Sequence, residues 1–154
     1  PVIGSDESLS ELRKKVSKAF ICVGKIGNDE RREKIIKILE ELEFEFPKII
    51  SRSAVVSKFS KVGDGTFVGH SSVVNIDSKI GKNCIVNTRA VVEHDCLIGD
   101  NCHISTGAII NGGVRIGKNS FIGSNSIIRE SLSLPNNTIV SAGKRVMGWP
   151  LRKN

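Results

Sequence analysis

Aliphatic residues recur at every sixth position through most of this 154-residue chain. Counting in steps of six from Val56 to Val146, sixteen consecutive positions carry Val, Ile or Leu. They are Val56, Val62, Val68, Val74, Ile80, Val86, Val92, Ile98, Ile104, Ile110, Ile116, Ile122, Ile128, Leu134, Val140 and Val146. A six-residue period fits neither a helix nor a simple strand alternation, and is typical of a parallel β-helix. The repeat therefore predicts a β-helix over residues 50–154, with three hexads per coil and about five coils.

Small residues form a second register, four places after most of the aliphatic residues. Cys84, Cys96 and Cys102 fall in it, so we expect buried, inert thiols and not a metal cluster. Six glycines directly follow an aliphatic residue, and their free backbone predicts that they let the chain turn sharply. These glycines are Gly63, Gly69, Gly81, Gly99, Gly117 and Gly123.

Residues 1–49 have a different pattern, which predicts a small partial α/β unit. "SDESLSELRKKV" predicts a helix capped by Ser5 or Asp6, and "DERREKIIKILEELEF" predicts a helix capped by Asn28 or Asp29. Between them, "AFICVG" at residues 19–24 predicts a short buried strand. The sequence has neither an initiator Met nor the strand and glycine-rich turn that normally open such a unit. We therefore expect this chain to be part of a longer protein.

Composition and charge exclude several classes of function. The net charge of +7 suits a polyanion, but aromatic residues make up only 5% and Tyr is absent, so platforms for stacking nucleic-acid bases are scarce. A small molecule that carries phosphate fits this charge better. No apolar run approaches the roughly 18 residues of a membrane span, and no signal-peptide pattern is visible. Four cysteines without a CxxC pair predict reduced thiols and a cytoplasmic location.

The segment "VVEHDCLIGDNCHIS", residues 91–105, holds two of the three histidines. His94 and His103 occupy hexad places outside the interior, so the core does not require them. Glu93 and Asp95 flank His94, and an acidic neighbour can hold an imidazole in one tautomer and keep it basic near neutral pH. This cluster predicts a general base.

Gly112 and Gly113 stack one coil above His94. They either leave room for a thin ligand and expose N–H groups to a developing oxyanion, or simply form a wider turn. His70 has no acidic neighbour and is interpreted as structural or solvated. The spacings of 24 and 9 residues between the three histidines do not match a zinc site on this repeat, so no metal is predicted.

The run "NTRAVVEHDCLIGDNCHISTGAIINGGVRIGKNSFIGSNS", together with the hexads and the partial α/β unit, resembles the bacterial sugar acetyltransferases of the sialic acid O-acetyltransferase type. That group includes N-acetyltransferases of nucleotide-linked 4-amino sugars, such as those leading to bacillosamine, perosamine and viosamine. The resemblance covers nearly the whole chain. It implies a left-handed β-helix, direct acetyl transfer from acetyl-CoA without a metal, and a homotrimer with the coenzyme between neighbouring prisms.

The resemblance also implies roles for single residues. His94 becomes the general base, supported by Asp95, while His103 contacts the thioester end of acetyl-CoA and the Gly112 amide approaches the coenzyme. Asn87 and Glu93 are expected to bind the acceptor. Lys144 and Arg145 are expected to meet the coenzyme phosphates. Trp149 either stacks on the adenine or covers the open end of the prism.

The leading prediction is an acetyl-CoA-dependent N-acetyltransferase of a nucleotide-linked 4-amino-4,6-dideoxy sugar in surface polysaccharide or glycan synthesis. O-acetylation of sialic acid or a related sugar stays open, because it would use the same base and donor. A non-catalytic trimeric β-helix scaffold is the alternative of a different class.

Overall fold

The computed structural model describes residues 2–26 and 30–150. Its repeat region is a parallel β-solenoid of about five turns, in which two-residue strands stack into three sheets. We call the sheets face 1, face 2 and face 3, because the chain passes through them in this order. Face 1 comprises β1 Ile49–Ile50, β4 Phe67–Val68, β7 Ile85–Val86, β10 His103–Ile104, β13 Phe121–Ile122 and β16 Ile139–Val140. Face 2 comprises β2 Val55–Val56, β5 Val73–Val74, β8 Val91–Val92, β11 Ile109–Ile110, β14 Ile127–Ile128 and β17 Arg145–Val146. Face 3 comprises β3 Lys61–Val62, β6 Lys79–Ile80, β9 Leu97–Ile98, β12 Arg115–Ile116 and β15 Ser133–Leu134.

The sixteen aliphatic positions predicted as the interior are the second residues of β2 to β17. From Val68 to Val146 each of them is buried, whereas Val56 and Val62 in the first full coil are only half-buried. Residues 18 apart pair between successive coils, as Val86 does with Ile104. The predicted parallel β-helix and its register are therefore confirmed.

The three cysteines of the second register are buried, as predicted, with at most 1% of their surface exposed. Burial raises the pKa of the Cys96 thiol, because the charged thiolate is poorly solvated there. Cys22, by contrast, is exposed.

The corners of the coil are turned by residues with positive φ. At every sixth position from 65 to 143, φ lies between +54° and +70°. Asn, Asp, Gly or Ser fills all of these positions except Arg89, and these are residue types that tolerate the left-handed region. The six glycines that follow an aliphatic residue have no positive φ. A Cβ on Gly99 would lie 2.7 Å from the backbone nitrogen of Lys118, so these glycines allow close stacking of coils, and their predicted role in turning the chain was wrong.

The N-terminal part contains a 3₁₀ turn at Asp6–Ser8, helix α1 at Leu9–Arg13 and helix α2 at Arg31–Glu41. The first predicted helix is thus present in shorter form and begins after Ser5, whose N–H donates to Ser8 Oγ at 3.0 Å. The predicted caps of the second helix, Asn28 and Asp29, lie outside the described residues.

The predicted strand at residues 19–24 is wrong, because only an isolated parallel bridge joins Lys18 to Glu45. The carbonyls of Ile21 and Val23 accept hydrogen bonds from the buried Arg32 guanidinium and not from a neighbouring strand. Arg32 Nη2 also lies 3.4 Å from the carbonyl of Asn83 on the β-helix, so one side chain joins α2, this segment and the solenoid. A small second core accompanies it, formed by Ile21, Ile36, Leu39 and Phe44.

Candidate active site

His94 and Asp95 form a hydrogen-bonded pair at the corner where β8 of face 2 passes into β9 of face 3. His94 Nδ1 lies 2.8 Å from Asp95 Oδ2, and 57% of the histidine side chain is exposed. A carboxylate can only accept, so Nδ1 carries the proton and donates it to Asp95. In the neutral imidazole this tautomer leaves Nε2 with a free lone pair, as a general base requires. Asp95 is also the turn residue of this corner, with φ +59°, so the repeat itself directs its side chain beside the imidazole.

Gly112 lies directly above the imidazole in the next coil. A Cβ at this position would lie 2.6 Å from both Cε1 and Nε2 of His94, so only glycine leaves room for the ring. The neighbouring Gly113 N–H donates to the His94 carbonyl at 2.9 Å. The Gly112 N–H, in contrast, donates to no acceptor within residues 2–26 and 30–150 and remains available to a ligand.

Glu93 is oriented by the coil below it. Asn75 Nδ2 donates to Glu93 Oε2 at 2.9 Å, and Asn75 Oδ1 accepts the N–H of Ile76 at 2.8 Å. Both ends of the Asn75 amide are thus occupied, and the carboxylate of Glu93 is fixed beside the His94 corner.

His103 has a different environment, on the outer side of face 1. Only 7% of its surface is exposed, because residues 20–25 lie over it. Its Nδ1 lies 2.6 Å from the carbonyl of Lys25 and therefore donates, while Nε2 lies 3.3 Å from Asn87 Nδ2 and accepts. Burial lowers the pKa of His103, the hydrogen bond to the Lys25 carbonyl partly opposes this shift, and the nearby Arg32 charge adds to it, so the neutral ring is favoured.

The structure does not bring His94 and His103 of one chain together. His94 lies at the corner between faces 2 and 3, and His103 lies on face 1, the face across the prism from that corner. One coil contains 18 residues, so two positions 9 apart are half a coil apart. Asn87 sits with His103, whereas Glu93 and Gly112 sit with His94.

A cavity of about 310 Å³ lies between residues 20–24 and face 1. Its walls are formed by Phe20, Ile21, Cys22, Gly24, Phe67, Ile85, Asn87 and His103. Asn87 and His103 were predicted as site residues, but the wall from residues 20–24 was not. No sequence motif announces it, because that segment joins the β-helix only through tertiary contacts such as those of Arg32.

Lys144 and Arg145, predicted to meet coenzyme phosphates, lie at the C-terminal end of the solenoid. Arg145 is the outward residue of β17 and is exposed. It is three coils from Val91 in the same face, or about 14 Å along the axis at a spacing of about 4.8 Å per coil. Trp149 is half-buried against the interior residues, which favours the interpretation that it covers the end of the prism.

Two family models match the repeat region. Residues 77–112 match the bacterial transferase hexapeptide model of six repeats, and residues 113–145 match the hexapeptide repeat of succinyl-transferase. A comparison with curated protein sequences finds no match.

Solved structures give a closer comparison. A histidine-to-asparagine variant of perosamine N-acetyltransferase from Caulobacter crescentus, in complex with CoA and GDP-perosamine, is 34% identical with a TM-score of 0.90, and the match covers 96% of this chain and 70% of that one. The acetyltransferase domain of PglB from Neisseria gonorrhoeae, in complex with acetyl coenzyme A, is 33% identical with a TM-score of 0.86, covering 95% of this chain and 72% of that one. This chain belongs to the hexapeptide-repeat family of nucleotide amino-sugar acetyltransferases. The family predicted from the sequence is thereby confirmed.

The match does not extend over the full length of these acetyltransferases. Another structure of the PglB domain is 34% identical with a TM-score of 0.76, and the match covers 80% of this chain but only 60% of that one. Among residues 2–26 and 30–150, no group of three His, Cys, Asp or Glu side chains is arranged to hold a metal ion. The same residues contain no helix with the length and apolar character needed to cross a bilayer.

Proposed function

We propose that this chain transfers the acetyl group of acetyl-CoA to the amino group of a nucleotide-linked 4-amino-4,6-dideoxy sugar. The observation that carries the proposal is the His94–Asp95 pair, whose imidazole packs against Gly112, a residue whose N–H has no acceptor among the described residues. A base and an oxyanion donor at one corner are the two groups that direct acyl transfer requires. The relatives support the choice of donor and acceptor, because their structures contain acetyl-CoA, or CoA with GDP-perosamine.

The reaction proceeds without a covalent enzyme intermediate. The amine nitrogen attacks the thioester carbonyl while His94 Nε2 accepts the amine proton, so a C–N bond forms and an oxyanion develops on the carbonyl oxygen. The Gly112 N–H donates to that oxyanion. Collapse breaks the C–S bond, and the imidazolium returns its proton to the departing CoA sulfur. Asp95 stabilises the transient imidazolium, and the carboxylate of Glu93 binds the acceptor.

The complete site combines two copies of the chain in a homotrimer. His94 lies across the prism from the cavity that contains Asn87 and His103, so the acceptor in that cavity would meet His94 of a second copy. The outward residues of face 2 support such contact, because five in succession are aliphatic: Val55, Val73, Val91, Ile109 and Ile127. In this arrangement His103 faces the thioester end, and Lys144 and Arg145 meet the coenzyme phosphates further along the axis.

Several finer features belong to the same proposal. Residues 1–49 form the acceptor-binding part, derived from an α/β unit, and residues 50–154 form the acetyltransferase part with left-handed winding, as in the family. Four free cysteines support a reducing compartment, the cytoplasm.

Mixing two inactive variants tests the function and its geometry together. Thiol release from acetyl-CoA is measured with GDP- and UDP-linked 4-amino-4,6-dideoxy sugars and with sialic acids. His94→Ala should lower kcat by roughly 10²- to 10⁴-fold, and Ile85→Trp should fill the cavity and abolish turnover. Each site would combine the His94 corner of one copy with the cavity of another. After co-assembly, about one quarter of the sites should have a wild-type corner and a wild-type cavity, because each is drawn at random from the two variants. If the wild type acetylates the amino sugars but mixing the two variants restores no activity, the whole site lies in one chain. If only sialic acids are acetylated, the enzyme is an O-acetyltransferase.

A further inference from the structure

The core holds the peptide between Asn111 and Gly112 in one orientation. The buried Cys96 thiol donates to the carbonyl of Asn111 at 3.2 Å, so this carbonyl points towards the interior of the prism. In a trans peptide the carbonyl and the next N–H point in opposite directions, and this peptide is not cis. The N–H of Gly112 therefore points away from the core, towards the surface that carries His94.

Asn111 directly follows an interior aliphatic residue, as Asn75 and Asn87 do. Asn75 and Asn87 each close a local turn, in which Oδ1 accepts the N–H of the next residue at 2.8 Å. Asn111 closes no such turn, and neither its carboxamide nor the Gly112 N–H has a hydrogen-bond partner in the described part of the chain. The carboxamide is half-buried but is not sealed from solvent. A backbone N–H and a side-chain NH₂ group are thus both free on adjacent residues.

Both donors lie next to the general base. Residues 18 apart pair between successive coils of face 2, so Asn111 lies above Glu93 as Gly112 lies above His94. The four residues form two adjacent columns, with the carboxylate and the base in the lower coil and the two donors in the upper coil. Because the reacting carbon must lie within contact distance of the group that His94 activates, its oxygen develops negative charge close to both donors.

We propose that Asn111 Nδ2 is a second donor to the oxyanion, beside the N–H of Gly112. The inference rests on the proposed function and adds a catalytic residue to that same site. As the acceptor atom bonds to the thioester carbon, the π electrons of the carbonyl move to its oxygen, and they return when the C–S bond breaks and CoA leaves. The carboxamide stabilises the charge by hydrogen bonding alone and keeps its own protons. Because it is neutral, it donates in the same way at any pH of the assay.

The kinetic test removes the donor in two ways. Asn111→Ala should lower kcat by on the order of 10²-fold and leave the KM for acetyl-CoA close to the wild-type value, because the donor acts on charge that develops only in the transition state. Asn111→Asp should lower kcat further, because a carboxylate cannot donate, repels the oxyanion and can itself accept the Gly112 N–H. Both variants should retain the wild-type Tm within a few degrees, since the Asn111 carboxamide makes no hydrogen bond within the described residues.

The matched control is Asn136→Ala. Asn136 Oδ1 accepts the N–H of Lys118 at 2.9 Å, outside the site, so this variant loses a carboxamide and should retain the wild-type kcat. An equal fall of kcat in Asn136→Ala, or wild-type kcat in Asn111→Ala, would overturn the proposal. A raised KM for the acceptor sugar with unchanged kcat in Asn111→Ala would also overturn it, because that result would make Asn111 a residue that binds the acceptor.

Amide NMR spectra separate this inference from the proposed function. Spectra of isotopically labelled protein are recorded with CoA and with acetyl-CoA, which differ only in the acetyl group and its carbonyl oxygen. The Gly112 N–H signal and the Asn111 side-chain NH₂ signals, assigned by their loss in Asn111→Ala, should both shift with acetyl-CoA relative to CoA, and the Asn136 side-chain signals should not. If no sugar is acetylated, the proposed function fails, yet paired shifts would still support the two donors. A shift of the Gly112 signal alone, or of neither signal, would refute the assignment of Asn111.

Discussion

Gly112→Ala should inactivate the enzyme without unfolding it. The added Cβ would lie 2.6 Å from Cε1 and Nε2 of His94, whereas an ordinary carbon contact is about 3.5 Å or longer. The imidazole must therefore retreat by about 1 Å. This retreat competes with its 2.8 Å hydrogen bond to Asp95 and moves Nε2 away from the acceptor amine. A misplacement of about 1 Å costs on the order of 10²-fold in rate, so kcat should fall by about that factor.

The control for this prediction is Gly99→Ala. Its Cβ would lie 2.7 Å from the backbone nitrogen of Lys118, which cannot rotate away, so the free energy of unfolding should fall by roughly 1–3 kcal/mol. Thermal unfolding and acetyl transfer are measured on both variants. Gly112→Ala should lose activity while Tm stays within a few degrees of the wild type. Gly99→Ala should have a lower Tm and should retain acetyl transfer. Alanine retains the N–H at 112, so wild-type kcat in Gly112→Ala would refute the inference that this glycine makes room for the base.

Three further predictions concern single side chains. Asp95→Asn retains a residue type suited to φ +59° but loses the carboxylate, so kcat should fall at least about tenfold at unchanged Tm, whereas Asp95→Ala should also lose roughly 1 kcal/mol of stability from backbone strain. Burial lowers the pKa of His103, so protonation of His103 opposes folding. The free energy of unfolding should therefore be full above pH 6.5, the ordinary pKa of histidine, and should fall below that pH. His103→Leu should weaken this decline, as measured by denaturant titrations at several pH values. Trp149→Ala should lower the free energy of unfolding by roughly 1–3 kcal/mol and leave the KM for acetyl-CoA unchanged, whereas a raised KM with unchanged stability would indicate adenine stacking.

The solenoid could be predicted from sequence because its interior position repeats without interruption. A register error at one hexad would expose an aliphatic residue and bury a polar one, so the period fixes every strand from β2 to β17. The turn residues were visible in the same way, since Asn, Asp, Gly or Ser recurs at nearly every sixth position from 65 to 143. The glycines after the aliphatic residues give a competing signal, because glycine serves close stacking as well as turning.

The N-terminal part was harder to predict because its structure depends on contacts distant in sequence. The apolar run at residues 19–24 has the composition of a strand, but its carbonyls bind Arg32, and it covers His103 on the solenoid. Charged residues in a helix normally face solvent, so nothing in the sequence around Arg32 predicted its burial. The cavity wall and the neutral state of His103 both depend on this segment.

The 18-residue coil also explains why neighbours in the sequence are separated in the site. Two polar residues 9 apart project from opposite sides of the prism, whatever their identity, so the motif that contains His94 and His103 serves two surfaces. A site that uses both histidines within one reaction must then join the corner of one copy to face 1 of another. The aliphatic outer residues of face 2 form a row along the solenoid axis, beside the corner that carries His94. This row is suited to such contact because it offers a continuous apolar surface. The proposed homotrimer would link assembly to catalysis: a polar substitution on this surface, such as Val91→Lys, should separate the copies and lose acetyl transfer together, although it touches neither histidine.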